Sequence, residues 1–430
     1  MNFAEIIEKK KRGGVLEYEE LKYAIDGYVS GEVADYQMSA LLMAIFINGM
    51  EDSEIFAMAD VMRHSGDELD LSVINGVCVD KHSTGGMGDT TTLIVAPTVA
   101  SLGLKFAKMS GRGLGVTGGT IDKLESIRGF KTTLSGDDFI KQINDIGVAV
   151  IEQSMNLCPA DKKLYALRDV TGTVDSIPLI AASIMSKKLV SGSDYIFLDV
   201  KCGNGAFMKD ISSALKLAVK MKTIGESAGK NVEFVVSDMN EPLSDYIGNA
   251  VEVYGALEVL SGKKCKLYEL SRHISAKLLS MAKNIKFGDA LKEVDGVIER
   301  GEAKAKFFEF IEAQGGIIEN ENELLCDSVD VMASATGYVK SINCNKLGQI
   351  VCDMGGGRLK KGDVIDAKVG LKILKRVGDQ VRIGETIAKL FYSKSSQKRF
   401  VQDVQNCYSI TDKPTEKLKL LIDTRDCRYL

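Results

Sequence analysis

Hydrophobic positions in the first 66 residues recur at the spacing of one helix face. Tyr18, Leu21 and Ile25 follow one another three or four residues apart, which is the period of an amphipathic helix. Asp35 can cap a second helix, and Gly49 can end it. The pattern therefore predicts a helical region at the N-terminus.

The pattern changes near residue 70, where short apolar runs begin to alternate with longer helical stretches. The runs that we predict as strands are 77–79, 106–107, 148–151, 195–198 and 232–236. Such alternation predicts a largely parallel sheet with helices on its faces. Residues 159–190 are helical again and contain no strand, so we expect them to join the N-terminal helices in a discontinuous domain.

From about Asp330 the pattern favours β structure. Runs at 337–339, 348–351 and 364–365 are separated by turn residues, and 377–385 resembles a strand, a turn and a strand. The G-D-x-V-x-x-G-E pattern at 378–385 is similar to biotinyl and lipoyl carrier domains. No M-K pair follows residue 330 to supply a carrier lysine, so we interpret this module as structural.

The predicted fold class is thus α/β, with three parts. The expected parts are a helical domain (1–68 and 159–190), a mixed-sheet α/β domain (69–158 and 191–329) and a C-terminal α+β module (330–430).

Composition and charge narrow the possible functions. The 430 residues carry 55 Lys and Arg against 59 Asp and Glu, and a net charge of -4 argues against an electrostatic nucleic-acid binder. Nine cysteines without a C-x-x-C pair support neither a disulfide framework nor a zinc site. The charged N-terminus is unlike a signal peptide, and the longest apolar stretch (93–104) is too short to span a bilayer. We expect a soluble cytoplasmic protein that binds neither membranes nor nucleic acid.

A first glycine-rich segment, D-K-H-S-T-G-G-M-G-D-T-T-T at 80–92, lies between a predicted strand and a predicted helix. Small residues let backbone N–H groups turn toward an anion, and a helix N-terminus adds partial positive charge. Lys81 supplies a full charge, and Ser83 and Thr92 supply hydroxyl donors. A simple strand–helix turn is the alternative. The spacing matches neither a P-loop nor the dinucleotide fingerprint.

A second such segment, K-M-S-G-R-G-L-G-V-T-G-G-T at 108–120, also follows a predicted strand. Thr120 can cap the helix that begins after it. A G-x-G-x-x-G spacing occurs at 113–118, but a lone match is weak. Two loops of this composition at one sheet can face a single anion, and one flexible loop is the alternative.

Two pairs of polar residues share helix faces in the later helical stretch. Tyr165 and Arg168 are three residues apart, and Ser183 and Lys187 are four apart. Taken alone, a solvated surface explains these pairs more often than a binding site does. His82 is one of only three histidines and stands inside the first loop.

Taken together, five segments resemble the pyrimidine-nucleoside and thymidine phosphorylase family. They are D-K-H-S-T-G-G at 80–86, K-M-S-G-R-G-L-G at 108–115, T-G-G-T-I-D-K-L-E at 117–125, P-A-D-K-K-L-Y-A-L-R-D at 159–169 and S-I-P-L-I-A-A-S-I-M-S-K-K at 176–188. The resemblance implies a homodimer that carries out reversible phosphorolysis of uridine, thymidine and deoxyuridine. Inorganic phosphate is then a co-substrate, and no organic cofactor is implied.

The resemblance also implies a role for individual residues. The implied phosphate-binding residues are Lys81, Ser83, Thr92, Lys108, Met109, Ser110 and Thr120. The implied pyrimidine-binding residues are His82, Tyr165, Arg168, Ser183 and Lys187. Of these, His82, Arg168 and Lys187 are the implied catalytic residues, because their donors can stabilise the leaving pyrimidine anion. Family members that use both uridine and thymidine tend to carry Lys at position 108, and thymidine-restricted members tend to carry Met.

Several positions depart from the family, among them Cys202 and Asn204, which replace the usual small residues of its V-K-x-G-x-G-A loop. Some members bind a monovalent cation, such as K⁺, through carbonyls matching Gly88, Thr90, Leu243 and Tyr246, and through a Glu at position 255. Position 255 is Gly here, which puts the cation in doubt. Val116 stands where bacterial members commonly have His.

Other functions remain as alternatives. One is a thymidine-restricted phosphorylase, and another is an anthranilate-type phosphoribosyltransferase. The latter uses Mg²⁺, for which only Asp80, Asp89 and Asp122 are candidate ligands near the loops. A non-catalytic phosphate- or nucleoside-binding protein is the third alternative.

Overall fold

The computed structural model describes residues 1–113, 118–153, 157–358 and 363–422. Val116 therefore lies outside the described residues. The chain begins with α1 (Phe3–Lys11), α2 (Tyr18–Ser30), α3 (Asp35–Asn48) and α4 (Asp52–Arg63). The buried ammonium of Lys10 lies 2.7 Å from the Glu54 carboxylate, and this ion pair ties α1 to α4. The predicted helical region is confirmed.

A five-stranded sheet follows, in the order β3-β2-β1-β4-β5. Its strands are β1 (Cys78–Ser83), β2 (Lys105–Ser110), β3 (Val148–Glu152), β4 (Tyr195–Cys202) and β5 (Asn231–Asp238). Every neighbouring pair is parallel, and each predicted apolar run marks one strand. The chain changes direction across the sheet between β1 and β4. Sheets of this type bind ligands at such a point, beyond the carboxyl ends of the strands.

Six helices lie between these strands in the chain. They are α5 (Thr91–Ser101), α6 (Thr120–Glu125), α7 (Gly136–Ile146), α8 (Pro159–Thr171), α9 (Ile177–Val190) and α10 (Ile211–Ser227). Apolar side chains of α8 and α9 share a core with α1 to α4, as Leu164 and Leu179 do with Leu42. This core continues into β4 through Leu198. The packing agrees with placing 159–190 beside the N-terminal helices, while the domain limits stay a prediction.

A second group of helices covers the other face of the sheet. It consists of α11 (Ala250–Leu260), α12 (Lys266–Lys283), α13 (Phe287–Glu299) and α14 (Glu302–Ala313). Both α12 and α14 pack against α5, and their apolar side chains form one core with Phe106 of β2. None of the helices in the described ranges is long and apolar enough to cross a membrane.

The remaining strands are antiparallel. They are β6 (Tyr246–Gly248), β7 (Ser328–Met332), β8 (Gly337–Ile342), β9 (Gly370–Ile373), β10 (Gln380–Val381), β11 (Thr386–Phe391) and β12 (Tyr408–Thr411). They form one sheet in the order β6-β9-β11-β7 and another in the order β10-β8-β12. The fold class is confirmed. The five-stranded sheet contains only parallel pairs. The short strand β6 is not part of it and pairs with β9 in the four-stranded antiparallel sheet.

Two details of the C-terminal prediction are wrong. Residues 348–351, predicted as a strand, belong to α15 (Cys344–Val351), which precedes a last short helix, α16 (Val401–Gln405). The Asn343 side chain accepts a hydrogen bond from the Lys346 amide and so caps α15. Val364, also predicted as strand, is 94% exposed and lies in no strand.

Candidate active site

The two glycine-rich loops meet at one edge of the parallel sheet. Residues 81–83 end β1 and residues 108–110 end β2, its direct neighbour. The first loop leads into α5 at Thr91, and the second leads into α6 at Thr120. Because helix N-termini carry partial positive charge, both helices favour an anion at this edge.

Lys81 provides a buried ammonium at this edge and is 2% exposed. Its ammonium donates a hydrogen bond to the Thr91 hydroxyl and lies 3.8 Å from the Asp89 carboxylate. Burial lowers the pKa of Lys81, and the charge of Asp89 opposes that shift. The sequence pointed to Thr92, which is also buried. Because residues 90–92 are all threonine, no sequence pattern distinguishes Thr91 from its two neighbours.

A second lysine, Lys201 of β4, lies next to Asp89 of the same loop. Its ammonium lies 2.6 Å from Asp199 and 3.9 Å from Asp89, and its side chain is fully buried. Burial alone would raise the pKa of Asp89, but Lys201 and Lys81 hold it well below its ordinary value. Asp89 therefore stays a carboxylate between the two lysines. No sequence pattern identified Lys201 as a binding residue, and Asp89 stood out only as a candidate Mg²⁺ ligand.

A fully buried carboxylate, Asp80, joins the sheet to α9. It lies 2.6 Å from the Lys188 ammonium and 3.4 Å from the Lys108 ammonium. Lys108 also donates a 2.5 Å hydrogen bond to the Lys81 carbonyl. Burial lowers the pKa of Lys108 to about 7, although Asp80 opposes the shift. No sequence pattern identified Lys188, which is separated from Asp80 by 108 positions.

His82 lies in the middle of these charges. Burial, together with the ammonium groups of Lys188 and Lys108, lowers the pKa of His82 well below its ordinary value. The imidazole is therefore neutral at pH 7 and offers one N–H donor and one acceptor nitrogen. Lys187 directly precedes Lys188, which lies 2.6 Å from Asp80, so the predicted pyrimidine side is close to the end of β1.

Met109 can take part only through its backbone. Its side chain is 8% exposed and packs in an apolar cluster with Ala107 and Ile151. Ser110, the next residue, is half-buried at the end of β2. A ligand at this edge thus meets the Met109 backbone and the Ser110 hydroxyl.

The predicted pyrimidine side is built on α8 and α9. Lys187 donates a 2.9 Å hydrogen bond to the Ser183 hydroxyl, as their spacing predicted, and lies 2.5 Å from Asp161. Arg168 is 3% exposed rather than solvated. Tyr165 is half-buried one turn before Arg168 on α8.

The Arg168 guanidinium closes the turn between α8 and α9. It donates to the carbonyls of Thr173, Val174 and Leu179 at 3.1, 2.7 and 3.1 Å. These bonds use three of the five N–H donors of a guanidinium. Within the described residues the other two have no protein partner, and the bonded three fix the orientation of the guanidinium.

The positions that match the family's cation site lie together. A Cβ on Gly88 would be 3.0 Å from the Tyr246 carbonyl, and the Leu243 amide donates to the Met87 carbonyl at 3.0 Å. The Leu243 carbonyl already accepts a 3.3 Å hydrogen bond from the Arg376 guanidinium.

A carboxylate on the same helix as Gly255 is also paired. Glu252, one turn before Gly255 on α11, lies 2.7 Å from the Lys123 ammonium. It also accepts a 2.7 Å hydrogen bond from the Thr90 hydroxyl. The Leu243 carbonyl and the Glu252 carboxylate thus already have positively charged protein partners. In the part of the chain that the structure describes, no cluster of His, Cys, Asp and Glu could hold a metal ion.

Sequence comparison identifies the chain as a member of a glycosyl transferase family. Residues 75–304 match the "Glycosyl transferase family, a/b domain", and residues 4–66 match the "Glycosyl transferase family, helical bundle domain". Residues 338–411 match the "Pyrimidine nucleoside phosphorylase C-terminal domain".

Relatives over nearly the whole chain make the assignment specific. The pyrimidine-nucleoside phosphorylase of Staphylococcus haemolyticus is 47% identical, over 96% of this chain and 98% of its own. That of Bacillus subtilis is 47% identical over 94% and 95%, and that of Geobacillus stearothermophilus is 44% identical over 98% and 99%. The chain belongs to the pyrimidine-nucleoside phosphorylase family.

A solved structure shares the fold at low identity. Anthranilate phosphoribosyltransferase from Thermus thermophilus aligns with a TM-score of 0.58 and 18% identity. The alignment covers 72% of this chain and 99% of that one. At this identity the likeness concerns the fold alone.

Proposed function

We propose that this protein catalyses the reversible phosphorolysis of pyrimidine nucleosides, which yields the free pyrimidine and ribose or deoxyribose 1-phosphate. The observation that carries the proposal is the meeting of two sets of residues. Glycine-rich loops follow β1 and β2, and α9, which carries Ser183 and Lys187, is joined to β1 by the 2.6 Å pair of Lys188 and Asp80. Membership of the family supports the same activity.

Phosphate would bind at the carboxyl ends of β1 and β2. The residues proposed to hold it are Lys81, Ser83, Thr92, Lys108, Ser110 and Thr120, with the Met109 backbone. Buried ammonium groups and helix N-termini attract a dianion there, and enclosure strengthens that attraction by lowering the local dielectric.

The reaction needs charge stabilised at two places. As the glycosidic C–N bond breaks, its electron pair stays on the pyrimidine, and the sugar becomes oxocarbenium-like. Phosphate on the opposite face of the sugar forms the new C–O bond, and the enzyme contributes proximity and orientation. Donors from His82, Arg168 and Lys187 stabilise the anionic pyrimidine. Tyr165 and Ser183 complete the surface that holds the ring.

Base release from several nucleosides tests the activity. The protein is incubated with uridine, thymidine, cytidine and inosine, with and without phosphate, and free base is separated by chromatography. We expect release from uridine and thymidine, and only when phosphate or arsenate is present. Equal release in phosphate-free buffer would identify a hydrolase and refute the proposal.

We propose that the enzyme uses uridine as well as thymidine. The 2′-hydroxyl of uridine needs a partner once water is excluded, because an unpaired buried hydroxyl costs about 1–3 kcal/mol. The Lys108 ammonium donates to the Lys81 carbonyl and pairs with Asp80, which leaves one N–H free to serve the sugar or phosphate. A thymidine-restricted enzyme is the alternative.

We propose that K⁺ is not required. Gly255 offers no carboxylate, Arg376 occupies the Leu243 carbonyl, and Lys123 pairs with Glu252. The donor set therefore does not fit a monovalent cation. Arg376 and Lys123 instead supply positive charge to the loops that start at Gly88 and Leu243.

We propose a homodimer that associates through α3. This helix exposes Tyr36 (78%) and Ile47 (72%), and Met43 and Phe46 extend the same apolar surface. Exposed apolar area of this kind marks protein interfaces. In sedimentation experiments the wild type should be a dimer and Ile47→Glu a monomer. Exposed Val170 on α8 provides a control, because Val170→Glu should leave the dimer intact.

The charges at the site disfavour a phosphoribosyltransferase. The three candidate Mg²⁺ ligands already pair with protein cations: Asp80 with Lys188, Asp89 with Lys81, and Asp122 with Arg358. A non-catalytic binder would not need donors aimed at a leaving pyrimidine. Consumption of phosphoribosyl pyrophosphate and Mg²⁺, without phosphorolysis, would favour the transferase instead.

A further inference from the structure

Asp122 of α6 holds together the two flanks of the second glycine-rich loop. Its Oδ2 accepts hydrogen bonds from the Gly113 amide at 2.6 Å and from the Gly119 amide at 3.1 Å. Residues 113 and 119 bracket the loop, so one carboxylate sets the distance between its ends. The Asp122 side chain is only 2% exposed, which makes its charge dependent on a protein partner.

That partner comes from the C-terminal module. Arg358 Nη1 donates a 2.6 Å hydrogen bond to Asp122 Oδ1, across 236 positions of sequence. Arg112 is farther away, at 3.6 Å, and is engaged by Glu125 and Glu152 at 2.5 and 2.7 Å. Arg358 is therefore the principal counter-charge of Asp122.

The backbone before Arg358 is anchored where it leaves the module. The Gly356 carbonyl accepts a 2.8 Å hydrogen bond from the Asn249 side chain, at the start of α11. Gly355 has φ of +98°, and a Cβ on Gly356 would lie 2.7 Å from Val351. The backbone conformation of residues 355–358 (G-G-G-R) thus places the Arg358 guanidinium next to Asp122 of α6.

We propose that Arg358 is a positioning residue for phosphate. It neutralises Asp122, and Asp122 in turn holds the Gly113 and Gly119 amides, which follow Ser110 and precede Thr120 of the proposed phosphate site. The C-terminal module, which the sequence suggested to be structural, would then contribute to substrate binding without touching the substrate. The inference rests on the proposed phosphate site.

Steady-state kinetics of Arg358→Met, Arg358→Lys and the control Arg128→Met test this role. Arg128 follows α6 and pairs with Glu319 at 2.5 Å, but both side chains are about two-thirds exposed (64% and 66%). We expect Arg358→Met to raise KM for phosphate about tenfold or more and to change KM for uridine less than twofold. Arg358→Lys should recover part of the loss, and Arg128→Met should match the wild type.

A double variant separates positioning from general destabilisation. If Arg358 acts through Asp122, Asp122→Asn combined with Arg358→Met should raise KM for phosphate by less than the product of the two single effects. Unchanged KM for phosphate in Arg358→Met, or multiplicative effects in the double variant, would overturn the inference. If Arg358→Met does not fold, the uncharged Arg358→Gln with a wild-type KM for phosphate would also overturn it. Phosphate-independent base release by the wild type would refute the proposed function instead.

Discussion

Replacing Lys188 with methionine should destabilise the protein strongly, because it removes one cation from a fully buried carboxylate. Asp80 and Lys188 are 2.6 Å apart, and their side chains are 0% and 4% exposed. Removing one partner of a buried pair typically costs about 3–5 kcal/mol. Lys108 remains 3.4 Å from Asp80, so we expect about 3 kcal/mol at pH 6, where Lys108 is protonated.

The loss should grow with pH. In the wild type, burial lowers the pKa of Lys108 to about 7, and Lys188 adds to that shift. Above about pH 7, Lys108 loses its proton in the folded protein but keeps it in the unfolded chain. Because the unfolded chain then binds more protons, the free energy of unfolding rises with pH. Without Lys188 the pKa of Lys108 moves back toward its ordinary value, and this rise shrinks. The difference between wild type and Lys188→Met is therefore expected to be larger at pH 9 than at pH 6.

Urea unfolding at both pH values checks this prediction. Circular dichroism is the suitable signal, because the chain contains no tryptophan. Lys222→Met is the matched control, since Lys222 lies 3.1 Å from Glu226 but is 28% exposed. Such a pair contributes at most about 1 kcal/mol. Equal unfolding midpoints for Lys188→Met and Lys222→Met at both pH values would refute the reasoning.

Other predictions concern turnover and ligand preference. Arg168→Ala and Lys187→Ala should each lower kcat at least ~100-fold, because losing one donor to a developing anion costs about 3–4 kcal/mol; near-normal kcat in a folded variant would contradict this. Exchange of K⁺ for tetramethylammonium should change kcat less than about twofold, because Arg376 and Lys123 already supply positive charge at the proposed cation position. Complete loss of activity would contradict the proposal. Lys108→Met should lower kcat/KM for uridine relative to thymidine by about tenfold, whereas an unchanged ratio would exclude Lys108 as the determinant. KM for phosphate should rise as pH increases through about 7, because Lys108 loses its charge, and Lys108→Met should lack this rise.

The parallel sheet was predictable because buried parallel strands are short apolar runs between helices. The sequence was less informative where tertiary contacts decide the local structure. Residues 348–351 have a strand-like composition, yet the Asn343 cap and burial of Leu347 and Ile350 on one face make them helical. β6 is only three residues long and becomes a strand because β9 pairs with it.

Local motifs drew attention to Lys81 and His82, which lie at the end of β1, while the roles of all candidate site residues stay a prediction. The residues that support this site were not predictable by spacing. Asp80 and Lys188 are 108 positions apart, and Asp122 and Arg358 are 236 apart. A charge pair of this kind depends on how helices and strands pack. The periodicity of a single sequence indicates secondary structure but not that packing.

The buried charges of the described residues at the sheet edge do not balance. Lys81, Lys108, Lys188 and Lys201 face Asp80, Asp89 and Asp199, so the interior carries an excess of positive charge whenever Lys108 is protonated. An anion that binds there relieves the repulsion in the folded state only. Ligand-linked stabilisation follows RT ln(1 + [L]/Kd) and reaches about 2.7 kcal/mol at one hundred times Kd. If phosphate binds there as proposed, adding it should raise the free energy of unfolding by an amount of this size.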